Sequence, residues 1–331
     1  GGASNAGVLV KGSNYLETLA GCGTVVFDKT GTLTEGQPTV TAWLWAQYQE
    51  EDFKRILLAT EMNSPDPLAA AITAALREER ITPAPLDGCG VLKGKGMKSL
   101  CNGTEYWVGS HKLLKDYRAY LSDVLGDMLV EYESEGNSIV YFGREDELLA
   151  IIAVKDRLKA TASGVVKELR GQGLDICMLT GDGERTASAI AGKLGIIRYM
   201  SDAQPEDKEA FIRELRLQGK KVVMVGDGVN DAQALAAADV SIAAGASAGD
   251  GLADKAMIVM KSADLQSLPR LFGLSRHTLR LMRRNFFRTM AFHVAGVLVA
   301  AGILYPVYGI LLTPMLAVTV IALSCIMPVK G

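Results

Sequence analysis

Asp28 follows a short apolar run, and the residues after it suit chemistry on a phosphoryl group. The run at 24–27, TVVF, predicts a buried strand with Asp28 at its carboxyl end, the edge where open α/β sheets place their ligand sites. Lys29, Thr30 and the two residues after them supply a cation, hydroxyl groups and flexible backbone. A carboxylate that attacks a phosphoryl group needs such partners. The alternative interpretation is an aspartate in a solvated turn.

A second predicted strand, at 174–179, ends in Thr180-Gly181-Asp182. A threonine at a strand tip is often structural. If this tip lies beside Asp28, however, the Thr180 hydroxyl and the neighbouring backbone amides would hold the phosphoryl oxygens. Thr180, Gly181 and Asp182 are therefore candidate catalytic residues.

A third predicted strand, at 221–225, leads into the sequence GDGVND, in which Asp227 and Asp231 lie four residues apart. Together with Asp28 and a phosphate, these carboxylates would repel one another unless a hard cation bridged them. Oxygen-only ligands favour Mg²⁺. The alternative is a Gly-Asp turn without a metal. We predict a magnesium site formed by Asp28, the main-chain carbonyl of Thr30 and Asp227, supported by Asn230 and Asp231.

The run from Asp28 to Thr34, DKTGTLT, and the GDGVND run resemble the two signature motifs of the P-type ATPases. These pumps have a catalytic domain of the haloacid dehalogenase superfamily. The resemblance implies that ATP phosphorylates Asp28 and that Lys208, in the sequence QPEDK, neutralises the aspartyl phosphate. Soluble phosphatases of the superfamily carry a second aspartate at the position of Thr30, so the resemblance also implies slow hydrolysis of the intermediate.

Residues 39–150 are predicted to form an inserted α+β domain, with helices at 51–60 and 67–80 before glycine-rich strands. Heavy-metal P-type ATPases carry a nucleotide-binding domain at this point. The resemblance implies nucleotide contacts from Glu61, Asp66, Gly94, Gly96 and Gly109. Asp66 replaces a family histidine and Ser110 replaces a family asparagine. Asp66 either accepts a hydrogen bond from the adenine amino group or caps the helix that Pro67 opens.

Alternating strands and helices favour an α/β fold with a doubly wound parallel sheet, Rossmann-like and haloacid-dehalogenase-like. Strands are predicted near residues 24, 151, 174, 221, 239 and 256. The predicted domains are a phosphorylation domain (1–38 and 151–266), the inserted domain (39–150), a basic stalk helix (267–288) and two transmembrane helices (289–331).

The membrane prediction comes from the nearly uncharged residues 289–312, which follow an arginine-rich helix and are long enough to span a bilayer. A break at 305–309 divides the apolar region into spans at 288–304 and 310–327, which predicts a transmembrane hairpin. A hairpin buried in a protein core is the alternative. These helices resemble those of copper(I)-transporting P-type ATPases. Candidate ligands of the transported ion are His293, Cys325 and Met327, although helix packing also explains each of them.

The chain has 331 residues and a net charge of −2, which gives no reason to expect a nucleic-acid partner. Its five cysteines lack CxxC spacing and predict neither a disulfide framework nor a zinc site. Because no initiator methionine precedes Gly1, we expect a piece of a longer protein, with an actuator domain and further membrane helices upstream.

Three hypotheses follow from the sequence. The favoured one is the C-terminal portion of a membrane-embedded heavy-metal pump, copper-like, with ATP as substrate, Mg²⁺ as cofactor and cytoplasmic catalytic domains. The second is a membrane-tethered phosphohydrolase of the haloacid dehalogenase type. The third is a degenerate regulatory relative of such pumps, without enzymatic activity.

Overall fold

A computed structural model describes residues 8–46, 50–227, 231–244, 256–260 and 264–300. The strands of this described part are β1 (Val8–Val10), β2 (Thr24–Asp28), β3 (Thr39–Trp45), β4 (Gly88–Leu92), β5 (Gly96–Cys101), β6 (Thr104–Gly109), β7 (Ser138–Arg144), β8 (Glu147–Lys155), β9 (Asp175–Leu179), β10 (Arg198–Met200), β11 (Val222–Gly226), β12 (Val240–Ala244) and β13 (Ile258–Met260).

The helices of the described part are α1 (Ser13–Ala20), α2 (Glu50–Glu61), α3 (Pro67–Glu78), α4 (Lys112–Asp116), α5 (Asp123–Ser134), α6 (Ala162–Gly171), α7 (Glu184–Leu194), α8 (Pro205–Leu217), α9 (Ala232–Ala237) and α10 (Ser267–Ala300).

The first sheet has seven strands in the order β1-β13-β12-β11-β2-β9-β10. Its strands run parallel, except that the edge strand β1 pairs antiparallel with β13. Strand β2 lies in the middle, between β11 and β9. The carboxyl ends of these three neighbours therefore meet at one edge of the sheet. The predicted parallel α/β sheet is confirmed, with one antiparallel edge strand.

Every residue of β2 is buried, because helices cover both faces of the sheet. Val25 and Phe27 point into one core cluster, which also contains Leu19 of α1. Val26 points the other way and packs in a second cluster with Phe211 of α8. The alternation of side chains along a strand thus ties both helical layers to β2, which fixes the position of Asp28 at its end.

The second sheet has six strands in the order β3-β8-β7-β6-β5-β4, and all of its pairings are antiparallel. Helices α2 and α3 pack on one face, where Leu57 and Ile72 are fully buried. Leu129 of α5 packs with Trp107 in a separate cluster. A mixed helical and antiparallel region thus occupies the segment in which an α+β insertion was predicted.

One strand was assigned to the wrong sheet. The run at 151–154 was expected in the parallel sheet, but it belongs to β8, which pairs antiparallel with β3 and β7. Seven consecutive residues of β8 are buried. A continuous apolar run fits a strand covered on both faces in either kind of sheet, so the pattern alone did not identify its neighbours. The predicted boundary between residues 150 and 151 falls inside β8, and the domain boundaries stay a prediction.

The long helix α10 begins on the first sheet and then leaves it. Leu268, Leu271 and Phe272 are buried in the core cluster around Val25, whereas Phe286 and Phe287 are exposed. No helix in the described ranges is both long enough and apolar enough to cross a bilayer. The first predicted span only overlaps the end of α10, and the second lies outside the described residues, so the hairpin stays a prediction.

Candidate active site

Asp28 lies at the carboxyl end of β2, and its carboxylate is held by a lysine from α8. Lys208 Nζ donates hydrogen bonds to Asp28 Oδ1 at 2.5 Å and to Asp231 Oδ1 at 2.8 Å. Asp28 and Lys208 are only 4% and 7% exposed. The structure therefore brings together three predicted site residues that are far apart in the sequence.

Burial raises the pKa values of the two carboxyl groups around Lys208. Burial and the nearby Asp231 raise the pKa of Asp28 to about 7, although Lys208 and Lys29 act in the opposite direction. Burial also raises the pKa of Asp231. Burial alone would lower the pKa of Lys208, but the two carboxylates hold it above its usual range. Lys208 therefore stays charged and offsets negative charge that the surrounding protein cannot hydrate.

Lys29 forms a second buried ion pair, with Asp182 Oδ2 at 2.5 Å. Asp182 also accepts hydrogen bonds from Thr180 Oγ1 at 2.7 Å and from Ser138 Oγ. Burial alone would raise the pKa of Asp182, but Lys29 and these hydroxyl groups hold it below its usual value. The predicted residues Lys29, Thr180 and Asp182 thus form one hydrogen-bonded group beside Asp28.

Ser138 is a site residue that sequence reasoning missed. It begins β7 in the second sheet, and its partner Asp182 follows β9 in the first sheet. Forty-four positions separate the two residues, and no spacing rule connects a serine at a strand start with a strand tip elsewhere. Only the packing of the two sheets shows that Ser138 contacts the catalytic edge.

The other predicted magnesium ligands are Thr30, in the turn that follows Asp28, and Asp227, which follows β11 and lies beside this turn. Thr34 N bonds to Lys29 O at 3.1 Å and closes this turn. Gly31 has a φ of +70°, and a Cβ atom on it would lie 3.2 Å from Asp227 Oδ2. The Asp227 carboxylate therefore packs directly against the turn, and only glycine combines this φ with such close contact.

The residues present fit a divalent cation. Asp28 and Asp231 share a single lysine, and Asp231 Oδ2 is buried without a hydrogen-bond partner in the described part of the chain. Within the same ranges, no three His, Cys, Asp or Glu side chains converge on a possible metal position. The predicted set needs only two carboxylates and a main-chain carbonyl. Asn230, a predicted supporting residue, lies outside the described residues.

A cleft of about 740 Å³ connects this edge to the second sheet. Asp28, Thr180, Gly181 and Lys208 line one wall. The predicted nucleotide residues, which belong to the second sheet and the segment around its helices, line the same cleft and are called the far wall below, namely Glu61, Asp66, Gly94, Gly96 and Gly109. The structure therefore places both predicted groups around one cavity.

The glycines of the far wall have structural roles of their own. Gly96 and Gly109 face each other across β5 and β6. A Cβ atom on either residue would come within about 2 Å of backbone oxygen, at 2.0 Å for Gly96 and 2.1 Å for Gly109. Gly94 O accepts a hydrogen bond from Gln204 Nε2 at 3.0 Å. These glycines allow close backbone contact, which also leaves the cleft open at this point.

Asp66 caps helix α3, one of the two roles that the sequence left open. Leu68 N donates to Asp66 Oδ1 at 2.8 Å, and Pro67 occupies the first turn. We predict that Asp66→Ala lowers the free energy of unfolding by about 1 kcal/mol, the usual effect of losing such a cap. Asp66→Asn, which keeps an acceptor, should lose less than half of that in urea titrations. Equal losses in both variants would contradict the capping role.

Glu61 is a buried carboxyl that lines the cleft. Burial, followed by the charge of Asp66, raises its pKa to about 8. The folded protein thus holds a proton that the unfolded chain releases. The resulting stability is present at low pH and is lost as the pH rises from about 4.5 through about 8.

We predict that Glu61→Gln gains stability relative to the wild type across this pH window. The relative gain should be at most on the order of 5 kcal/mol, because one pKa unit corresponds to about 1.4 kcal/mol. Urea unfolding at about pH 5 and about pH 9 measures it. Glu78→Gln, at an exposed position of α3, is the control and should change by less than about 0.5 kcal/mol. A pH-independent difference for Glu61→Gln would contradict the buried protonated carboxyl.

Of the three predicted ligands of a transported ion, one lies in the described part of the chain. His293 is exposed on α10. Cys325 and Met327 lie outside the described residues. Their suggested role stays a prediction.

Known proteins resemble this chain in sequence and in structure. The family model of the haloacid dehalogenase-like hydrolases matches residues 22–239. A copper-exporting P-type ATPase of Legionella pneumophila subsp. pneumophila is 35% identical over 98% of this chain and 44% of its own length. A silver-exporting P-type ATPase of Salmonella typhimurium is 38% identical over 98% of this chain and 39% of its own length. The chain thus spans roughly two fifths of these relatives.

A solved structure of the catalytic domain of the CPx-ATPase CopB-B, studied for its conformational changes upon nucleotide binding, is also similar. It has a TM-score of 0.65 and 28% identity, over 83% of this chain and 97% of that domain. The family match, the carboxylate at the end of β2 and this structural similarity together indicate that most of the chain corresponds to a catalytic domain. The chain belongs to the haloacid dehalogenase-like hydrolases, and among them it resembles the catalytic portion of heavy-metal P-type ATPases.

Proposed function

We propose that this chain is the ATP-hydrolysing portion of a heavy-metal pump, which forms an aspartyl phosphate at Asp28. The observation that carries the proposal is that Asp28 and Lys208 share one cleft with Glu61 and the glycines of the second sheet. A nucleotide bound at the far wall could therefore extend its terminal phosphate towards the carboxylate. The similarity to P-type ATPases agrees with this arrangement.

In the proposed reaction an Asp28 oxygen attacks the γ-phosphorus of ATP. The bond from that phosphorus to the β–γ bridging oxygen breaks, and ADP leaves with the electron pair. Lys208 neutralises charge on the transferred group, while the backbone around Gly181 donates hydrogen bonds to its oxygens. Thr180 adds another once its hydroxyl turns from Asp182 to the phosphate. Lys29, held by Asp182, keeps a second positive charge beside Asp28.

Magnesium belongs to the same proposal. Asp28, the main-chain carbonyl of Thr30 and Asp227 would hold the ion, with Asn230 and Asp231 in support. Bound Mg²⁺ would neutralise charge on the phosphate oxygens. Because Thr30 offers no carboxylate to activate water, the aspartyl phosphate should persist long enough to be coupled to a change of shape.

The proposed nucleotide-binding wall differs from the family pattern at Asp66 and Ser110. Ser110, which stands where the family has an asparagine, has a buried hydroxyl oxygen without a hydrogen-bond partner among the described residues. A bound nucleotide would supply that partner. The Asp66 carboxylate is engaged as a helix cap. It lines the wall but, unlike the family histidine, has no ring that could stack on adenine.

The wider context is also a proposal. Relatives named for copper and silver export favour a soft monovalent ion such as Cu(I) as cargo. The pump would lie in a membrane through the segment at 289–331, with residues 1–288 on the cytoplasmic side. An actuator domain and further membrane helices would precede Gly1. The proposed domain division is 1–38 with 151–266, 39–150, 267–288 and 289–331.

Labelled ATP tests the proposal. The 331-residue chain, purified in detergent, is incubated with γ-labelled ATP and Mg²⁺, and the reaction is stopped with acid. A phosphoprotein that survives acid and is cleaved by hydroxylamine is the expected product, since both properties are typical of an acyl phosphate. Rapid hydrolysis of sugar phosphates without a phosphoprotein would favour the phosphohydrolase hypothesis. The absence of both would favour the degenerate relative.

A further inference from the structure

The segment after β8 lies alongside the turn that carries Asp28. Glu35 N donates to Arg157 O at 2.9 Å, and Lys159 N donates to Leu33 O at 2.9 Å. These two bonds form a short antiparallel bridge at the end of the turn. The turn is thus supported from outside by a segment to which sequence reasoning assigned no role.

Lys159 extends this support with its side chain. Its Nζ atom donates to Gly31 O at 3.0 Å. On the other side of the same residue, Gly31 N donates to Thr34 Oγ1 at 3.0 Å. The two peptide groups that flank Gly31 are therefore both fixed by hydrogen bonds. The first of these peptide groups contains the Thr30 carbonyl, one of the proposed magnesium ligands.

Fixing these peptide groups matters because Gly31 is the most freely rotating residue of the turn. It has a φ of +70°, and glycine loses more backbone freedom on ordering than any other residue. Without Lys159, the Gly31 carbonyl would lose its partner and the Gly31–Thr32 peptide could rotate, so that only the Thr34 hydroxyl would hold the adjoining Thr30–Gly31 peptide. A metal ligand that samples several orientations binds its ion more weakly.

The charges around Lys159 also favour a role for this lysine beside the turn. Its side chain is half-buried, and burial lowers its pKa, while the carboxylates of Asp156, Asp264, Glu35 and Asp227 oppose this effect. Asp227, the second proposed magnesium ligand, packs against Gly31. The ammonium group, which is hydrogen-bonded to the turn, thus also brings positive charge near several acidic side chains.

We propose that Lys159 is a positioning residue for the magnesium site. It fixes the Gly31–Thr32 peptide, and through the backbone of Gly31 it keeps the neighbouring Thr30 carbonyl oriented towards the magnesium site. The inference rests on the proposed function, because it assumes that Mg²⁺ binds at this edge. It assigns Lys159 no contact with ATP or with the transferred phosphoryl group.

Magnesium titration of the full chain tests this role without turnover. In the wild type, added Mg²⁺ should raise the midpoint of thermal unfolding, because a ligand that binds only the folded state stabilises it. Lys159→Ala should need about 10-fold more Mg²⁺ for the same rise, the lower end of the effect seen when a residue that orients a metal ligand is lost. Lys159→Arg, which keeps a long cationic donor, should recover to within about 3-fold of the wild type. Phosphoprotein formation should show the same shift in Mg²⁺ dependence.

The control is Lys155→Ala, at the end of β8, where the side chain pairs only loosely with Glu135 at 3.6 Å. It should respond to Mg²⁺ like the wild type. Binding of ATP measured in EDTA should be equal in all four proteins, because Lys159 is not among the residues that line the cleft. A general loss of folding in Lys159→Ala would also reduce ATP binding, and in that case Lys159→Gln is tested in its place.

The outcomes separate the inference from the function on which it rests. If the wild type responds to Mg²⁺ and the folded Lys159→Ala or Lys159→Gln protein responds at the same concentrations, the positioning role is wrong. Equal losses of magnesium response and of ATP binding in Lys159→Gln as well would make Lys159 a merely structural residue and would also overturn the inference. If the wild type itself shows no response to Mg²⁺, the proposed magnesium site fails, and the inference fails with it.

Discussion

Replacing Asp28 with asparagine is expected to abolish the acid-stable phosphoprotein, lowering its rate of formation by at least about 10⁴-fold. The amide has the size of the carboxylate but lacks the negatively charged oxygen that attacks the phosphorus. Because the amide fits the same space and Lys208 keeps its second partner, Asp231, the exchange should leave the sheet intact. Acid quenching after incubation with labelled ATP measures the effect.

A binding measurement and a control variant make the test of Asp28→Asn specific. ATP binding in the absence of Mg²⁺ should persist, since Glu61 and the glycines of the far wall are unchanged. The matched control is Asp175→Asn, an exposed aspartate at the opposite end of the neighbouring strand β9, which should keep full phosphoprotein formation. A phosphoprotein of normal yield in Asp28→Asn would show that another residue accepts the phosphoryl group.

The second large effect is expected from Lys208→Met. The substitution leaves Asp28 and Asp231 buried and adjacent without their shared counter-ion. Removing one partner of a buried ion pair typically costs about 3–5 kcal/mol of stability. Loss of the cation beside the transferred phosphoryl group should also slow phosphoprotein formation by about 10²- to 10³-fold.

Urea unfolding and acid-quench kinetics measure the two effects of Lys208→Met separately. The control is Lys220→Met, which removes a surface lysine that pairs with Asp175 at 3.2 Å. Exposed ion pairs contribute at most about 1 kcal/mol, so this variant should be nearly neutral. A Lys208→Met protein as stable and as active as Lys220→Met would contradict the role of Lys208 as the counter-ion.

The parallel core around β2 was predictable because its sequence carries several independent signals. Apolar runs ended in polar residues near positions 28, 180 and 227, and parallel strands must bring such ends to one edge. The position of Asp28 and its ion pair with Lys208 agree with that prediction. Chemistry concentrated at strand ends is therefore visible in sequence, whereas Lys208, which lies in helix α8 and 180 positions from Asp28, was indicated only by the family resemblance.

The contacts between the two sheets were not predictable, for a physical reason. The hydrogen bonds of Ser138 with Asp182 and of Gln204 with Gly94 depend on how the surfaces around the two sheets meet. The spacing of apolar residues along a strand indicates which face of the strand is buried. It carries no information about the polar partners that its residues find across a cleft. The same limit explains why the apolar run in β8 was assigned to the wrong sheet.

Asp66 illustrates an intermediate case. An aspartate directly before a proline is a strong local signal for a helix start, and the cap was one of two open interpretations. The second interpretation, a contact to adenine, depended on a cleft that only the structure shows. Local chemistry therefore supplied the structural role of Asp66, while its place in the wall of the cavity came from tertiary packing.

The most direct test of the central claim is to locate the phosphoryl group on the chain. Borohydride reduces an acyl phosphate to an alcohol, so the phosphoprotein trapped after reaction with ATP should carry homoserine in place of Asp28. Mass spectrometry of the peptide that contains residues 24–34 would detect it. We predict homoserine at position 28 only, in a yield that matches the acid-stable label. Homoserine at another aspartate, or an unmodified peptide from fully labelled protein, would contradict the account.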